Sequence, residues 1–232
     1  MTLRAPAPAC AALFAGRTPD SLLDMAVRVV IFDIGGVLEY TPATGWADRW
    51  AERLGITRTE LDRRGSAIWR RGEIGEATLA QVHAETAQAF GLTLIEVQRF
   101  YDNMWAEYLG SLNVELAGYV ADLRPRVRTA LLSNSFVGAR EREQDRYGFE
   151  DLVDVVIYSH EEGLLKPDPR FYRLACRRLN VAPDECVFVD DTDNCVKGAQ
   201  DVGMRTVLFI DNEQTIAEIE LHLDDAPAIN TH

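Results

Sequence analysis

Short runs of apolar residues alternate along the chain with longer segments in which apolar residues recur every three or four positions. The short runs are rich in Val, Ile and Leu, which is typical of strands buried on both faces of a parallel sheet. The longer segments have the period of helices that bury one face. Such alternation predicts an α/β fold with a doubly wound, Rossmann-like parallel sheet. The predicted strands cover residues 29–32, 129–132, 153–158, 186–189 and 205–210.

The segment after the first strand is helical. Thr57-x-x-Glu60 and Thr93-x-x-Glu96 are capping-box sequences, each opening a helix. We expect a helical insertion at 43–113 and an α/β core formed by 25–42 and 114–232. Residues 1–24, rich in Ala and Pro, are expected to be a poorly ordered extension. The predicted helices are 45–54, 57–69, 78–90 and 93–109 in the insertion, and 113–123, 137–147, 170–179, 194–202 and 215–223 in the core.

Carboxylates follow two of the predicted strands directly. Asp33 ends the first strand and is followed by Gly35 and Gly36, which permit a sharp turn. Asp190 and Asp191 end the strand at 186–189. Carboxylates at the carboxyl edge of a parallel sheet form a hard-oxygen cluster suited to Mg²⁺. The alternative is that these residues only cap turns and helix N-termini.

Two further signals are weaker when each is taken alone. The chain has 24 basic residues, of which only Lys166 and Lys197 are lysines. Lys166 lies in a predicted turn, where a compact ammonium can neutralise a phosphate oxygen or neighbouring carboxylates. Ser133 and Asn134 follow the strand at 129–132, where a hydroxyl and an amide can hold a phosphoryl oxygen without adding charge. Ordinary turn chemistry is the alternative for this pair.

Taken in order, these four segments resemble the motifs of the haloacid dehalogenase superfamily. They lie at 32–38, 132–134, 159–169 and 188–194, and the resemblance covers about residues 26–212. It implies a helical cap over a phosphoryl-transfer site with a Mg²⁺ cofactor. Asp33 would be the nucleophile and Lys166 would neutralise charge beside it. The resemblance also implies that the phosphate is contacted by Ser133, Asn134 and Gly36. It implies that the metal is held by Asp33, the Gly35 carbonyl and Asp191, and through water by Asp190. Asn194 would orient the pair Asp190 and Asp191.

Position 35 departs from the pattern of most phosphatases in this superfamily, which have a second Asp there as general acid and base. With Gly35, metal ligation through the carbonyl oxygen survives, but the usual proton donor is missing. Three interpretations stay open. The substrate has a good leaving group, such as an anomeric sugar phosphate or an acyl phosphate; a cap residue or a bound water donates the proton; or the protein is slow, or is an inactive binding or regulatory protein. Glu39 and His160 are further candidate proton donors. The Asp-x-Gly form also resembles the subgroup that contains α-D-glucose-1-phosphate phosphatase. A 2-haloacid dehalogenase is disfavoured, because paired Asp residues are retained.

Charge and composition narrow the partners. The formal charge of −13 disfavours binding to nucleic acid and to anionic membranes. The four cysteines show no C-x-x-C spacing, which favours a reduced, cytoplasmic protein. We therefore expect a small phosphorylated molecule as the partner, and the sequence predicts no oligomeric state. Within the helical insertion the candidate substrate contacts are Arg63, Arg64, Trp69, Arg70 and Arg71, whereas Trp46, Trp50 and Trp105 are expected to pack in its core.

Overall fold

A computed structural model describes residues 26–224 of the chain. The extension predicted at 1–24 lies outside the described residues. Five strands form one parallel sheet in the order β5-β4-β1-β6-β7, and two very short strands, β2 and β3, pair antiparallel. The strands are β1 Val29–Phe32, β2 Glu39–Tyr40, β3 Ser111–Leu112, β4 Arg128–Ser133, β5 Val155–Tyr158, β6 Cys186–Asp190 and β7 Arg205–Leu208.

Helices cover both faces of the five-stranded sheet, which confirms the predicted doubly wound α/β fold. The short helices α7 and α8, the 3₁₀ turn Pro183–Glu185 and the β2–β3 ribbon are absent from the sequence prediction, because one-turn and two-residue elements carry no readable period. The helices are α1 Trp46–Arg53, α2 Arg58–Glu73, α3 Leu79–Phe90, α4 Leu94–Leu109, α5 Val114–Leu123, α6 Ala139–Tyr147, α7 Phe149–Leu152, α8 Ser159–Glu162, α9 Pro169–Leu179, α10 Asp193–Asp201 and α11 Asn212–Asp224.

Strand β1 lies in the middle of the sheet, and all four of its side chains are fully buried. Successive side chains point to opposite faces, as in any strand. Val30 and Phe32 belong to a core cluster that includes α5 and α11 residues, whereas Val29 and Ile31 belong to a second cluster that includes α9 residues. The unbroken apolar run therefore reflects burial on two sides.

Helices α1–α4 supply most of a third apolar cluster, which is distinct from the two beside the sheet. The capping box predicted at Thr93 is complete, with Glu96 bonded to the Thr93 backbone. At Thr57 only half of the box forms: its hydroxyl accepts from the Glu60 N–H, but the Glu60 carboxylate pairs with Arg63 and Arg64 instead. The exact limits of the helical insertion stay a prediction.

The end of α2 rests directly on the core loops. The Val137 N–H donates to the Gly72 carbonyl at 3.1 Å, and the Ser159 hydroxyl donates to the Glu73 carbonyl at 2.8 Å. Gly75 has φ +68°, and a Cβ atom there would lie 1.9 Å from the His160 carbonyl oxygen. Only glycine fits such an approach, so the end of α2 is fitted to the loop after β4 and to helix α8, which follows β5.

Two features of the described residues relate to the cellular location of the protein: the state of the cysteines and the character of the helices. Cys176, Cys186 and Cys195 are buried free thiols, in line with the lack of a disulfide framework in the sequence. Among residues 26–224, no helix has both the length and the apolar character that crossing a membrane requires. The cytoplasmic location stays a prediction.

Candidate active site

Asp33 stands at the carboxyl end of the central strand. Its backbone N–H donates to the Val189 carbonyl at 2.8 Å, which continues the pairing of β1 with β6 by one residue. Its side-chain Oδ1 accepts from the Ile34 N–H at 2.7 Å. Asp190 ends the neighbouring strand β6 in the next register position. Adjacent parallel strands thus bring the two carboxylates to the same edge, as the sequence predicts.

Lys166 lies between these two carboxylates. Its Nζ is 2.8 Å from Asp33 Oδ1 and 2.6 Å from Asp190 Oδ2, and its side chain is 1% exposed. Burial alone would lower the pKa of Lys166, but the two carboxylates outweigh it and hold that pKa above its usual value. Burial raises the pKa of Asp33 to about 7 against the opposing effect of Lys166, and the charge of Asp190 adds to the rise. A charged lysine is therefore fixed beside the candidate nucleophile.

Asn134 fixes the main chain of Lys166. Its Nδ2 donates to the Lys166 carbonyl at 3.0 Å, and its Oδ1 accepts from the Lys166 N–H at 2.7 Å. The side-chain amide is thus used within the protein, and the phosphate contact predicted for Asn134 does not use it in this conformation. Ser133 is buried at the end of β4, with its hydroxyl 3.4 Å from the Asn134 carbonyl. Its phosphate contact stays a prediction.

The Asp pair is held by Thr192. The Thr192 N–H donates to Asp190 Oδ1 at 2.9 Å, and its hydroxyl lies 3.3 Å from Asp191 Oδ1. Asn194, expected to orient this pair, is exposed in the first turn of α10. Its part in the site stays a prediction, and Thr192 is a positioning residue that the sequence reasoning did not single out.

The two glycines after Asp33 differ in what they permit. Gly36 has φ +79°, and a Cβ atom there would lie 2.1 Å from Asp191 Oδ2, so only glycine fits. The Gly36 N–H donates to the Glu39 carbonyl at 2.8 Å, so the phosphate contact predicted for Gly36 lacks its donor in this conformation. At Gly35 nothing lies within 4 Å of an added Cβ. The missing Asp at position 35 is therefore no consequence of lack of space.

A divalent cation fits the acidic cluster. Asp33, Asp190 and Asp191 each place a carboxylate oxygen within 4.8 Å of the others. When all three carboxylates are ionised, as ligands of a cation must be, they and Lys166 together carry two formal negative charges. Carboxylate oxygens and a main-chain carbonyl are the ligands that Mg²⁺ prefers. The three carboxylates thus lie close enough together to share one cation. Ligation by the Gly35 carbonyl, and by Asp190 through water, stays a prediction.

Two cavities have Asn134 as a common lining residue. The first cavity has a volume of about 560 Å³ and is lined by residues of all four motifs and by three residues next to them. The motif residues are Asp33, Gly35, Gly36, Asn134, Lys166, Asp191 and Thr192, and the neighbouring residues are Tyr40, Thr41 and Cys195. The second, of about 390 Å³, lies between α1, α2, α4 and the loops after β4 and before α9. Trp46, Trp69, Phe100, Tyr108 and Phe136 are among its walls.

The two alternative proton donors named from the sequence lie outside both cavity linings. His160 bonds through Nδ1 to the Ser135 hydroxyl at 2.6 Å, and burial lowers its pKa. Glu39 is 1% exposed, and its burial and the charge of Glu143 raise its pKa to about 9. A role for either residue as a proton donor beside Asp33 stays a prediction.

The arginine stretch of α2 turns away from the cavities. Arg63 and Arg64 pair with Glu60, and Arg71 pairs with Glu85. Trp69 lines the second cavity, as a candidate substrate contact would. Trp50 and Trp105 belong to the third apolar cluster, and Trp46 packs against it, as expected. Trp46 also lines the second cavity. Phe136 and Met104 were not singled out, since nothing in the sequence shows that α4 faces the loop after β4.

The sheet and its edge cluster define an α/β enzyme with an acidic site at the carboxyl end of the central strand. The chain belongs to the haloacid dehalogenase-like hydrolases, whose family model matches residues 27–203. An enzyme of this family from Bacteroides thetaiotaomicron has the same fold, with a TM-score of 0.73 at 18% identity over 84% of this chain and 98% of that one. The same enzyme has been solved in complex with magnesium and inorganic phosphate, with a TM-score of 0.66 at 19% identity over 79% and 94% of the two chains.

Among known sequences the chain resembles both single proteins and parts of larger ones. Acyl-CoA dehydrogenase family member 10 of Mus musculus is 30% identical over 83% of this chain, which spans only 19% of the mouse protein. Bifunctional epoxide hydrolase 2 of Sus scrofa is 28% identical over 84% of this chain, which spans 39% of that protein. A phosphatase of Mycobacterium tuberculosis is 28% identical over 82% of this chain and 91% of its own length.

Proposed function

We propose that the chain is a Mg²⁺-dependent phosphatase that hydrolyses a small phosphomonoester through Asp33. The observation that carries the proposal is the buried Lys166 ammonium, which lies within 2.8 Å of both Asp33 and Asp190. A carboxylate can approach a phosphate dianion only where cations offset the repulsion between them. The mycobacterial phosphatase, matched over nearly its full length, supports this class of reaction.

The reaction has two steps on the chain's own residues. An Asp33 oxygen attacks phosphorus, the bond from phosphorus to the leaving oxygen breaks, and the phosphoryl group is left on Asp33. Water then attacks this phosphorus, which releases phosphate and restores the carboxylate. Lys166 keeps Asp33 oriented and neutralises charge throughout. A Mg²⁺ ion held by Asp33, Asp191, the Gly35 carbonyl and, through water, Asp190 would supply further neutralisation of the phosphate oxygens.

The alternatives from the sequence make different predictions. A binding or regulatory protein would bind phosphate or metal without turnover. A dehalogenase would need no metal and would release halide from 2-haloacids. The complete set of Lys166 with three clustered carboxylates favours phosphoryl transfer, because a cluster of this charge suits a divalent cation.

The test measures phosphate release from acetyl phosphate and p-nitrophenyl phosphate, with Mg²⁺ and with chelator. We expect metal-dependent release that falls by at least about 10³-fold in Asp33→Asn, as for loss of a nucleophile. Asp201→Asn, a substitution at an exposed carboxylate of α10, is the matched control and should keep full activity. Release that is equal in wild type and Asp33→Asn would overturn the proposal. Halide release from 2-chloropropionate without metal would instead establish the dehalogenase.

A further inference from the structure

The second cavity is built for an apolar group. Nine of its fourteen lining residues are apolar or aromatic. The ring of Trp46 meets that of Phe100 edge-on at 5.0 Å, and Trp69 is stacked with Phe100 at 6.4 Å. Flat aromatic walls of this kind favour flat apolar ligands through stacking and edge-to-face contact.

Charged residues at the cavity are already paired with other protein groups. Arg58 bonds to Asp62 at 3.0 Å, and Glu73 lies 3.8 Å from Arg70. The Ser135 hydroxyl contacts His160, and the Asn134 amide holds Lys166. A sugar entering this cavity would compete with these existing pairs for hydrogen bonds, and the nine apolar and aromatic residues would satisfy few of its hydroxyl groups.

The second cavity adjoins the cavity that contains the proposed reaction site. Asn134 lines both cavities, and Leu165, which lines the second, directly precedes Lys166. A phosphate held beside Asp33 and Lys166 would therefore carry its ester group toward the aromatic walls.

The glycine at position 35 limits which leaving groups the substrate can have. Gly35 offers no acid, and the residues that line the first cavity, which contains the proposed reaction site, include no Glu or His. The carboxyl groups that line the second cavity, Asp62 and Glu73, lie beside Arg58 and Arg70. A leaving oxygen that departs readily as an anion needs no proton while its bond breaks. A phenolate oxygen meets this condition, whereas a simple alkoxide does not.

We propose that the substrate is an aryl phosphate, a phosphate monoester of an aromatic alcohol whose ring occupies the second cavity. This inference rests on the proposed function. The bond from phosphorus to the aryl oxygen breaks, the phosphoryl group passes to Asp33, and the phenolate takes its proton from water. It departs from the sugar phosphate favoured by the sequence resemblance, because the cavity walls are aromatic and its polar groups are engaged.

The experiment compares kcat/KM for four substrates, with acetyl phosphate as a small reactive reference. We expect 2-naphthyl phosphate to exceed phenyl phosphate by about tenfold, since the added ring buries more apolar surface. Phenyl phosphate should exceed cyclohexyl phosphate by at least about 100-fold, because the cyclohexyl leaving oxygen needs a proton. α-Glucose 1-phosphate should be a poor substrate.

Variants locate the effect in the cavity. Met104→Gln makes a wall polar, and Ala47→Leu fills space; each should lower the ratio of kcat/KM for 2-naphthyl to acetyl phosphate at least about fivefold. Ile95→Gln, at an exposed residue of the same helix α4 as Met104, is the matched control and should leave the ratio unchanged.

Each outcome bears on a stated claim. Asp33-dependent hydrolysis of acetyl phosphate together with a preference for glucose 1-phosphate would overturn the aryl phosphate and keep the phosphatase. If neither Met104→Gln nor Ala47→Leu changes the ratio of kcat/KM for 2-naphthyl phosphate to that for acetyl phosphate, the aryl phosphate is also overturned and the phosphatase is kept. Absence of all Asp33-dependent release would overturn the phosphatase. Calorimetric binding of 2-naphthyl phosphate to Asp33→Asn tests the cavity without turnover: weakening of at least about fivefold by Met104→Gln supports the assignment, and unchanged affinity refutes it.

Discussion

Asn134 and Lys166 are joined by two hydrogen bonds that run in opposite directions, from Nδ2 to the Lys166 carbonyl and from the Lys166 N–H to Oδ1. The residue after β4 thereby fixes the main chain of a residue that is 32 positions further on. Because β4 pairs directly with β1, the same strand order that places Asp33 also places the lysine beside it. The ammonium thus has little freedom to leave the two carboxylates.

Asn134→Ala removes both hydrogen bonds and loosens the loop that carries Lys166. Displacement of a charged group by about 1 Å can reduce turnover on the order of 100-fold. We expect kcat for acetyl phosphate to fall by about 10- to 100-fold, with stability lowered by about 1–3 kcal/mol for two lost bonds. Steady-state kinetics and urea unfolding measure these changes. Gln98→Ala removes an exposed amide that bonds within helix α4 and should alter neither quantity. Unchanged kcat in Asn134→Ala would contradict a positioning role.

Gly35→Asp supplies the acid that most related phosphatases have at this position. The substitution is tolerated sterically, because nothing lies within 4 Å of the added Cβ and φ is not in the left-handed region. General acid catalysis contributes about 10²–10⁴-fold, so hydrolysis of cyclohexyl phosphate should rise by about 100-fold or more. Phenyl phosphate should gain much less, and the slope of log kcat/KM against leaving-group pKa should become shallower.

The neighbouring glycine provides a contrast within the same turn. Gly36→Ala places a Cβ atom 2.1 Å from Asp191 Oδ2. It should disturb the acidic cluster and weaken binding of Mg²⁺, measured by calorimetry.

For Gly35→Asp, equal gains for phenyl and cyclohexyl phosphate would show that the new carboxylate does not act as a proton donor.

Gly75→Ala tests the fit between the end of α2 and the core loops. A methyl group at Gly75 would lie 1.9 Å from the His160 carbonyl oxygen, whereas at Gly91, with nearly the same φ, nothing lies within 4 Å. Both substitutions carry the left-handed penalty of about 1–2 kcal/mol. The free energy of unfolding should fall by more in Gly75→Ala, by roughly 1–3 kcal/mol beyond Gly91→Ala. Equal losses in urea unfolding would show that the contact with His160 relaxes freely.

Glu39→Gln tests how the buried carboxyl groups of Glu39 and Glu143 affect the dependence of the free energy of unfolding on pH. Burial first, then the charge of Glu143, raises the pKa of Glu39 to about 9 from 4.5, with Arg146 opposing and Asp33 adding to the rise. Between these values the folded protein keeps a proton that the unfolded chain releases. The free energy of unfolding therefore falls as pH increases from about 4.5 to about 9.

A glutamine at position 39 stays neutral in both states, so its contribution to this slope vanishes. We expect Glu39→Gln to be stabilised relative to wild type at pH 8.5 and to differ little at pH 5, in urea unfolding at each pH. The burial of Glu143 raises its own pKa to about 7, so part of the slope remains. Parallel curves for the two proteins would show that Glu39 is ionised in the folded state at neutral pH.

The sequence predicted those parts of the site that depend on strand ends. Asp33, Asp190 and Asp191 follow apolar runs, and parallel pairing alone brings such residues to one edge. The hydrogen bonds from Asn134 to the main chain of Lys166 were beyond prediction, because an amide after a strand has many partners within reach. The walls of the second cavity were likewise hidden. Met104 and Phe136 line one cavity although they are 32 positions apart in the sequence. The end of α2 contacts Phe136 at Gly72, and a glycine contributes no hydrophobic pattern to the sequence.

The third apolar cluster, supplied mostly by α1–α4, has a consequence for how proteins of this kind diverge. Many of the side chains that line the second cavity belong to this third cluster or pack against it, and not to the two clusters beside the sheet. Mutations can therefore accumulate among the helices and change which molecule is accepted, while the register of β1 with β6 stays as it is. In the proposed enzyme, substrate recognition and chemistry thus lie on different parts of one chain, so a change of substrate needs no change among the residues around Asp33.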